Sequence, residues 1–480
     1  MVKQNHNREG RKLATRRIHR SFLQLIDQTY YFPQKGFGVE EETNLLFHEI
    51  PLLDLVQRHG TPLKLTYLPS ISEQIQSAKT WFANAIEEHK YDGAYHYSYC
   101  TKSNHFAYVL REAFKNDIHL ETSSAYDIDI AFKLLEEGLI DKKTYIICNG
   151  FKTQTYFDRI LRLHQEGFTN VIPVLDNIKE LDAYEEMDFP YFNIGLRVAT
   201  EEQPGFDLYT SRFGIRHSQV QSFYHNRLKD NPKINLKMLH FFVYTGIRDT
   251  TYYWNEFDKN IELYCDLKQQ CPFLTHLNIG GGFPIRYSLG DEYDHQYMIN
   301  EIVRQIKELC DEREVEQPDI VTEFGSYTVG ESGATIFQVL DKKSQNDREQ
   351  WYIIDNSLMT SLPDTWGLQK KFIMLPINKW NAEYERVVLG GLTCDNDDYY
   401  DDDGQVLLPV YNEHDAEPLY VGFFHTGAYQ ESIGGFGGIH HCLIPQAKHI
   451  LITKDADGKL VETVFSEEQQ PQDVMRLLGY

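Results

Sequence analysis

The chain has 480 residues, of which 41% are hydrophobic and 25% are charged, a balance typical of a folded protein with more than one domain. Its formal net charge of −24 disfavours nucleic acid as a partner, because phosphate binding requires a basic surface. No apolar run approaches the ~18 residues that a membrane span needs, so we do not expect an integral membrane protein.

The cysteines and the first residues bear on the compartment. Seven cysteines, an odd number without a CxxC pair, suit reduced thiols and predict neither a disulfide scaffold nor a zinc site. The first twenty residues are rich in lysine and arginine, but no apolar segment follows them, which argues against a secretory signal. We therefore interpret residues 1–35 as a basic arm and expect a cytoplasmic protein without a bound metal.

Eight short β-rich runs, each followed by a helical pattern, occupy the middle of the chain. They are AYHYSYC, IHLETS, TYIIC, VIPVL, YFNIGLRV, MLHFFV, HLNIG and DIVTEF. Alternating strands and helices predict parallel βαβ units, and eight units close into a (β/α)8 barrel whose active site lies at the carboxyl ends of the strands. An open doubly wound sheet is the alternative. We place the barrel at residues 70–335.

The pattern changes after residue 335 to strand-like runs separated by acidic or glycine-rich turns. QWYIID, ERVVLGG, LYVGFFHT and HILITKD predict an all-β domain over residues 336–480. Residues 36–69 also look extended. We expect them to join this β domain before the chain enters the barrel.

Three features lie where predicted strands end at the barrel mouth. Lys102 follows the first strand, at a suitable position for a Schiff-base lysine. Gly280, Gly281 and Gly282 follow the seventh strand, where glycines let backbone N–H groups approach a phosphate closely. Glu323 ends the eighth strand, where a buried acid could keep a pyridine nitrogen protonated.

Each feature taken alone also has a plainer interpretation. The lysine could be a solvated surface residue, the glycines a tight βα turn, and the eighth-strand acid the partner of Arg197 in a structural ion pair. In the β domain, Cys394 could deliver a proton while Asp395 and Asp397 bind a cationic group. The same segment could instead be a solvated acidic loop around a buried cysteine.

Taken together and in order, these residues resemble the fold-type III decarboxylases that depend on pyridoxal 5′-phosphate (PLP), the family of ornithine, diaminopimelate and biosynthetic arginine decarboxylases. The resemblance extends from about residue 90 to residue 445 through YCTKSN, LETSSAYDI, IICNGFK, GLRVA, SRFGI, IGGGFP, TEFGS, TCDND and HTGAYQE. It implies an α/β fold, a PLP-binding TIM barrel of the alanine racemase type with a C-terminal all-β domain. The implied cofactor contacts are Lys102, Arg197, Phe242, Gly280, Gly281, Gly282, Glu323 and Tyr429.

Within this family, IICNGFK, SLPDTWGLQKKFIMLPINKW and ERVVLGGLTCDND are most similar to the biosynthetic arginine decarboxylases. The resemblance implies decarboxylation of L-arginine to agmatine and CO2, a step of polyamine biosynthesis. Lys102 and Cys394 are then the catalytic residues, and we assign Asp395 and Asp397 to the guanidinium. Decarboxylation of ornithine, lysine or diaminopimelate, or a catalytically silent binding protein, is the alternative.

The resemblance also has implications for assembly and for metal. It implies an obligate homodimer, or a higher oligomer built from it, because Cys394 and the adjacent aspartate reach the active site of the other subunit in this family. It allows Mg²⁺ as a second cofactor. The partners expected are therefore a small basic amino acid and a second copy of the chain, with no nucleic acid and no membrane.

Two positions depart from the family pattern. Phe242 stands where the family has a histidine that stacks on the cofactor ring; phenylalanine can stack but offers no proton or charge. Ser326 stands where the family has an arginine at the phosphate, so the anion loses a strong partner. We expect weaker retention of PLP as a result.

Overall fold

A computed structural model describes residues 20–200, 212–346, 349–400, 406–431 and 441–480. The part of the predicted basic arm before residue 20 lies outside these ranges. Helix α1 (Phe22–Ile26) follows it. Its Phe22 is buried edge-on against Trp380, with ring centroids 5.2 Å apart, so this end of the arm packs against the C-terminal part of the chain.

The segment predicted to be extended contains a helix as well as strands. Strands β1 (Phe37–Glu40), β2 (Asn44–Phe47) and β3 (Ile50–Pro51) form a small antiparallel sheet. Helix α2 (Leu52–His59) comes next, and β4 (Leu63–Tyr67) then enters the large C-terminal sheet. The helix corrects the sequence prediction: its apolar residues fall on one buried side, a pattern that is easily mistaken for a strand over eight residues.

The middle of the chain is a closed barrel of eight parallel strands. Its strands are β5 (Tyr95–Cys100), β6 (His119–Thr122), β7 (Ile146–Cys148), β8 (Val171–Leu175), β9 (Phe192–Ala199), β11 (Ile234–Phe241), β12 (His276–Asn278) and β13 (Asp319–Phe324), with the two-residue β10 (Ile215–Arg216) beside β9. Each barrel strand overlaps one predicted run. Because β13 pairs with β5 and β8 pairs with β9, each of the eight strands has two neighbours, so the barrel is closed and the open-sheet alternative is wrong.

Helices surround the barrel and connect its strands. They are α3 (Pro69–His89), α4 (Ala107–Ala113), α5 (Ala125–Glu136), α6 (Gln154–Gln165), α7 (Glu180–Glu186), α8 (His217–Phe223), α9 (Thr251–Lys268), α10 (His295–Glu312) and the short α11 (Ser326–Val329). None of the helices in the described part of the chain combines the length and the apolarity that crossing a bilayer requires.

The two-residue period of the strands sorts their inward side chains into layers. The middle layer is apolar and contains Ile147, Ile172, Val174, Met238 and Val321 in one buried cluster. In β13, Val321 of this cluster lies between the polar residues Asp319 and Glu323. Polar side chains also stand near the base ends of β5, β6 and β12, and at or just after the mouth ends of β6, β7 and β12. The barrel therefore has one polar layer at its mouth and a second at its base, separated by an apolar plug.

The C-terminal region is β-rich, as predicted. Its strands are β14 (Gly333–Ser344), β15 (Gln350–Ile354), β16 (Ile373–Pro376), β17 (Tyr384–Gly390), β18 (Tyr399–Tyr400), β19 (Val406–Pro409), β20 (Tyr420–Phe424), β21 (Lys448–Lys454) and β22 (Leu460–Ser466), with helices α12 (Leu358–Ser361), α13 (Pro363–Gly367) and α14 (Pro471–Leu477). Strand β4 pairs with β14 and β21, so the chain contributes to this sheet before and after it forms the barrel.

Three histidines buried away from the barrel mouth should make the protein sensitive to acid. Burial lowers the pKa of His48, His164 and His449 from 6.5 to about 4. As the pH falls from 6.5 to 4 the unfolded chain takes up these protons before the folded chain does. The folded state should then lose roughly 1.4 kcal/mol per pH unit for each histidine.

The measurement is the midpoint of thermal unfolding as a function of pH, for the wild type and for His164→Phe. His164 packs against Phe189 and Phe192, so phenylalanine suits its surroundings while removing one titrating group. We expect the midpoint of the variant to fall less steeply below pH 6.5. An equally steep fall in the variant would show that His164 does not contribute.

Candidate active site

A cavity of about 610 Å³ opens at the carboxyl ends of the barrel strands. Most of the residues selected from the sequence line it: Lys102, Arg197, Phe242, Gly281, Gly282, Glu323 and Tyr429. Gly280 lies just behind the wall, where its N–H donates to Asn278 Oδ1 and its carbonyl accepts from the N–H of Glu323. Cys394, Asp395 and Asp397 do not line this cavity.

Lys102 projects into the cavity from a short 3₁₀ turn after β5 and forms an ion pair with Glu121 at the end of β6. Its Nζ lies 3.2 and 3.4 Å from the two carboxylate oxygens. The Glu121 side chain is fully buried, whereas that of Lys102 is 44% exposed towards the cavity. Burial opposes the charged amine, but neighbouring acidic groups, Cys100 and Glu121 foremost, outweigh it and raise the pKa of Lys102 well above its ordinary value. Lys102 is therefore not a solvated surface lysine.

Glu323 is held by amide groups at the end of β13. Asn149 Nδ2 lies 2.9 Å from both of its oxygens, and Asn278 Nδ2 donates to Oε1 at 2.7 Å. His240 Nε2 lies 3.5 Å from Oε2, but burial lowers the pKa of His240 well below its usual range, so this contact joins a carboxylate to a neutral ring. Among the described residues Glu323 has no ion pair with Arg197, which removes that structural alternative.

The glycines form a closely packed backbone wall. A Cβ on Gly281 would lie 2.1 Å from the carbonyl oxygen of Glu323, and Gly280 and Gly282 have φ of +72° and +99°. Side chains are excluded at all three positions, by contact in the first case and by left-handed backbone in the others. The backbone can thus approach a ligand closely at this edge of the cavity.

Two arginines bring positive charge to the cavity. The sequence analysis selected Arg197 but not Arg212. The guanidinium carbons of Arg197 and Arg212 lie 4.6 and 4.1 Å from the ring centroid of Phe213, and all three residues line the cavity. Arg212 belongs to the SRFGI motif that carries part of the family resemblance. Arg212 therefore adds a positive charge to a cavity that has a serine, Ser326, where the family pattern has an arginine.

Tyr429 is held in an unusual backbone conformation at the rim. Its φ is +67°, and its N–H donates to the carbonyl of Ser103 at 2.7 Å, next to Lys102. Burial raises the pKa of the phenol well above its usual value, so the hydroxyl stays a hydrogen-bond donor at neutral pH. A strained, fixed residue in a cavity wall is typical of a ligand-binding site.

The Cys394 segment lies apart from this cavity, on the surface of the β domain. Cys394 is exposed, so the buried-cysteine interpretation is wrong, and its Sγ lies 3.4 Å from Cys442 Sγ. This contact raises the pKa of Cys394. The segment is anchored by buried Asp398, which accepts from the backbone N–H groups of Thr393 and Leu358. These hydrogen bonds hold the segment in place at the surface.

Comparison with known proteins identifies the class. The family model described as "Pyridoxal-dependent decarboxylase, pyridoxal binding domain" matches residues 70–330, more than half of the chain. The chain therefore belongs to the PLP-dependent decarboxylases, and the predicted family is confirmed.

Individual relatives are more distant. The chain is 22% identical to "Biosynthetic arginine decarboxylase 2" of Synechocystis sp. over 90% of this chain and 84% of that protein, and 23% identical to the arginine decarboxylase of Glycine max over 81% and 72%. The crystal structure of the biosynthetic arginine decarboxylase from Campylobacter jejuni is similar with a TM-score of 0.77 at 20% identity, covering 93% of this chain and 91% of that one. Diaminopimelate decarboxylase from M. jannaschii gives 0.77 at 17%, covering 92% and 97%. These structural likenesses establish the fold.

The cavity fits the cofactor that the family implies. It presents one amine, a carboxylate held by two amides, a wall of glycines and two guanidinium groups. Several buried polar atoms in its wall also lack hydrogen-bond partners among the described residues, namely Asn149 Oδ1 and both ring nitrogens of His240. Unpaired buried polar atoms are costly, and a bound polar ligand would satisfy them.

Proposed function

We propose that this protein converts L-arginine to agmatine and CO2 with PLP as its cofactor. The observation that carries the proposal is the placement of Lys102, Glu323 and the glycine wall around one cavity in a chain of the PLP-dependent decarboxylase family. Support for arginine comes from the names of the curated relatives and from the SLPDTWG segment, which runs from the last residue of α12 through α13.

The proposed roles follow from the contacts in the mouth. When bound, PLP supplies an aldehyde that joins to amines and a ring that accepts the electron pair left by departing CO2. Lys102 is the covalent anchor, and Glu121 holds its amine in place. Glu323 holds a proton on the pyridine nitrogen, and Asn149 and Asn278 fix the orientation of its carboxylate.

The phosphate end of the site differs from the family pattern. Hydrogen-bond donors for the phosphate come from Gly281, Gly282 and Tyr429, while position 326 carries a serine and not an arginine. Phe242 offers an aromatic face to the cofactor ring. Arg212, together with Arg197, is the cation available to balance the anion. We infer that this chain replaces the missing arginine from a different element of the barrel.

Proton return to the product requires a second copy of the chain. Cys394 is exposed and lies outside the cavity of its own chain, and the sulfur contact with Cys442 favours its protonated form. We infer a homodimer in which Cys394 of each subunit donates a proton in the site of the other. Asp395 and Asp397, on the same segment, bind the cationic end of the substrate.

The described residues also bear on two further questions, the choice of substrate and a metal cofactor. A pair of carboxylates accepts an ammonium as well as a guanidinium, so ornithine and lysine are the second candidates as substrate. Mg²⁺ gains no support: each group of three or more potential ligands among the described residues contains a thiol or an imidazole, whereas Mg²⁺ prefers oxygen.

The test combines spectroscopy with product analysis. Purified protein is mixed with PLP, its absorbance is recorded, and arginine, ornithine and lysine are added separately while CO2 and the amine products are measured. A new visible band and agmatine from arginine alone support the proposal. A band with turnover only on ornithine or lysine would overturn the substrate, and the absence of a band would favour a silent binding protein.

A further inference from the structure

A cluster of histidines lies at the base of the barrel, at the opposite end from Lys102. We call His96, His119, His276 and Asp319 the base cluster. They stand at or next to the first residues of β5, β6, β12 and β13, four neighbouring strands of the closed sheet. These residues form the polar layer at the base of the barrel, below the apolar plug. The proposed decarboxylation uses none of them.

Three of these side chains converge on one point. His96 Nε2 lies 3.5 Å and His276 Nε2 lies 3.8 Å from the same oxygen, Asp319 Oδ2. The three atoms lie within 4.8 Å of one another. Ligand atoms around a tetrahedral ion with bonds of about 2.1 Å are roughly 3.4 Å apart, which is close to the two distances to Asp319 Oδ2, and the fourth position would be left to water.

The atoms that would not bind an ion already have partners. His96 Nδ1 is hydrogen-bonded to His119 Nε2 at 3.1 Å, and His276 Nδ1 to Thr275 Oγ1 at 2.8 Å. His276 Nε2 lies 3.2 Å from Tyr145 Oη and would exchange this partner for the ion. The other carboxylate oxygen, Asp319 Oδ1, accepts from the N–H of Ala94 at 2.8 Å. Outer partners of this kind are what fixes the orientation of ligating histidines and carboxylates in metal sites.

An ion could reach this point from solvent. The Asp319 side chain is 31% exposed and that of His96 is 19% exposed, while His276 is buried behind them. The side chains therefore form a shallow site open at the base of the barrel.

We propose that the base cluster binds one divalent transition-metal ion, such as Zn²⁺, through His96 Nε2, His276 Nε2 and Asp319 Oδ2. Two imidazoles and one carboxylate suit this class of ion and not Mg²⁺ or Ca²⁺. His119 is the outer partner of His96. Because β5 and β13 are the first and eighth strands, the ion joins the seam at which the barrel closes, and its role is structural. The sequence predicted no metal because these ligands come from separate strands and form no motif.

The experiment uses the full chain, from which one competing metal-binding group has been removed by mutation. Cys394, His441 and Cys442 also lie close enough to share an ion, so the test protein carries Cys394→Ser and Cys442→Ser. After treatment with a chelator it is titrated with Zn²⁺ by calorimetry and with Co²⁺ by absorbance. We expect one equivalent of each ion, a Co²⁺ spectrum without a sulfur charge-transfer band, and a higher midpoint of thermal unfolding with Zn²⁺ present.

Variants in this background locate the ion. Asp319→Asn keeps an oxygen for the N–H of Ala94 and should fold, which is checked by its thermal midpoint without metal. It should weaken Zn²⁺ binding more than about tenfold and abolish the thermal shift, and His119→Gln should weaken binding about tenfold. His414→Gln, at an 84% exposed surface histidine, is the matched control and should bind as before. Unchanged binding in Asp319→Asn, or no binding once the two cysteines are replaced, would overturn the proposal. Activity is not used as a readout, so the outcome is independent of the proposed decarboxylation.

Discussion

Replacing Lys102 should abolish decarboxylation, whatever the amino acid. Lys102 carries the only primary amine in the described cavity wall and can therefore form an imine with an aldehyde, since the other cations there are the guanidinium groups of Arg197 and Arg212. We expect Lys102→Ala to lower kcat by more than about 10³-fold, because it removes a covalent step and not only a contact. The measurement is single-substrate turnover at saturating PLP.

Lys102→Arg separates chemistry from structure. Alanine would leave the buried carboxylate of Glu121 without its ion pair, with a hydrogen bond from Asn149 remaining, and some loss of stability would follow. Arginine keeps a cation for Glu121 but cannot act as the covalent anchor, so this variant should be folded and equally inactive. If Lys102→Arg retained more than about a tenth of wild-type turnover, the assignment would be wrong.

A labelling control is available within the same barrel. Borohydride treatment of protein incubated with PLP should fix the cofactor on the peptide that contains Lys102. Lys152 lies after the third barrel strand and is the matched comparison: its side chain is completely buried, and its Nζ donates to Glu180 and to the carbonyl of Val174. Label on Lys152 in place of Lys102 would refute the assignment.

The sequence predicted the barrel well because strand and helix periods alternate eight times without interruption. Each buried run is bounded by turns, and the closing contact between the first and eighth strands follows from the number of units. Helix α2 was missed for a local reason: residues 52–59 span only two turns, too few to distinguish a helical stripe from a buried strand. Its identity depends on packing against the β domain, which lies far away in sequence.

In the mouth, the sequence located residues at strand ends but not their partners. Lys102 and Glu323 were selected because each directly ends or follows a strand, whereas Glu121, Asn149 and Asn278 were not. These three occupy equivalent inward positions near the carboxyl ends of neighbouring strands, and a list of polar residues at those positions would have found them. Which of them contact one another depends on barrel registry, which a single sequence does not specify.

Cys394 shows a different limit. A motif resemblance gave it a catalytic role, yet among the described residues it does not line the cavity of its own barrel, so the proposed role requires a second subunit. The one physical sign in the described part of the chain is the anchoring of its segment by Asp398, which fixes an exposed loop. A fixed and exposed proton donor is what a shared active site requires.

Two inactive variants should therefore restore activity when they assemble together. Lys102→Ala lacks the anchor in its barrel, and Cys394→Ala lacks the proton donor on its β domain, so each homodimer should be inactive or nearly so. In a mixed dimer, the barrel with Lys102 intact receives the partner subunit's Cys394, and one of the two sites is complete. Random assembly gives half mixed dimers, so the recovered activity should approach about a quarter of wild type.

Co-expression with two different affinity tags allows the mixed dimer to be purified, and this species should show about half of wild-type activity per dimer. The control is each variant co-expressed with a second, differently tagged copy of itself, which should recover nothing. If Cys394 acted within its own chain, neither subunit of the mixed dimer would hold both groups and the mixture would stay inactive. Recovery would thus support the proposed dimer, in which a barrel mouth is completed by the partner subunit's cysteine.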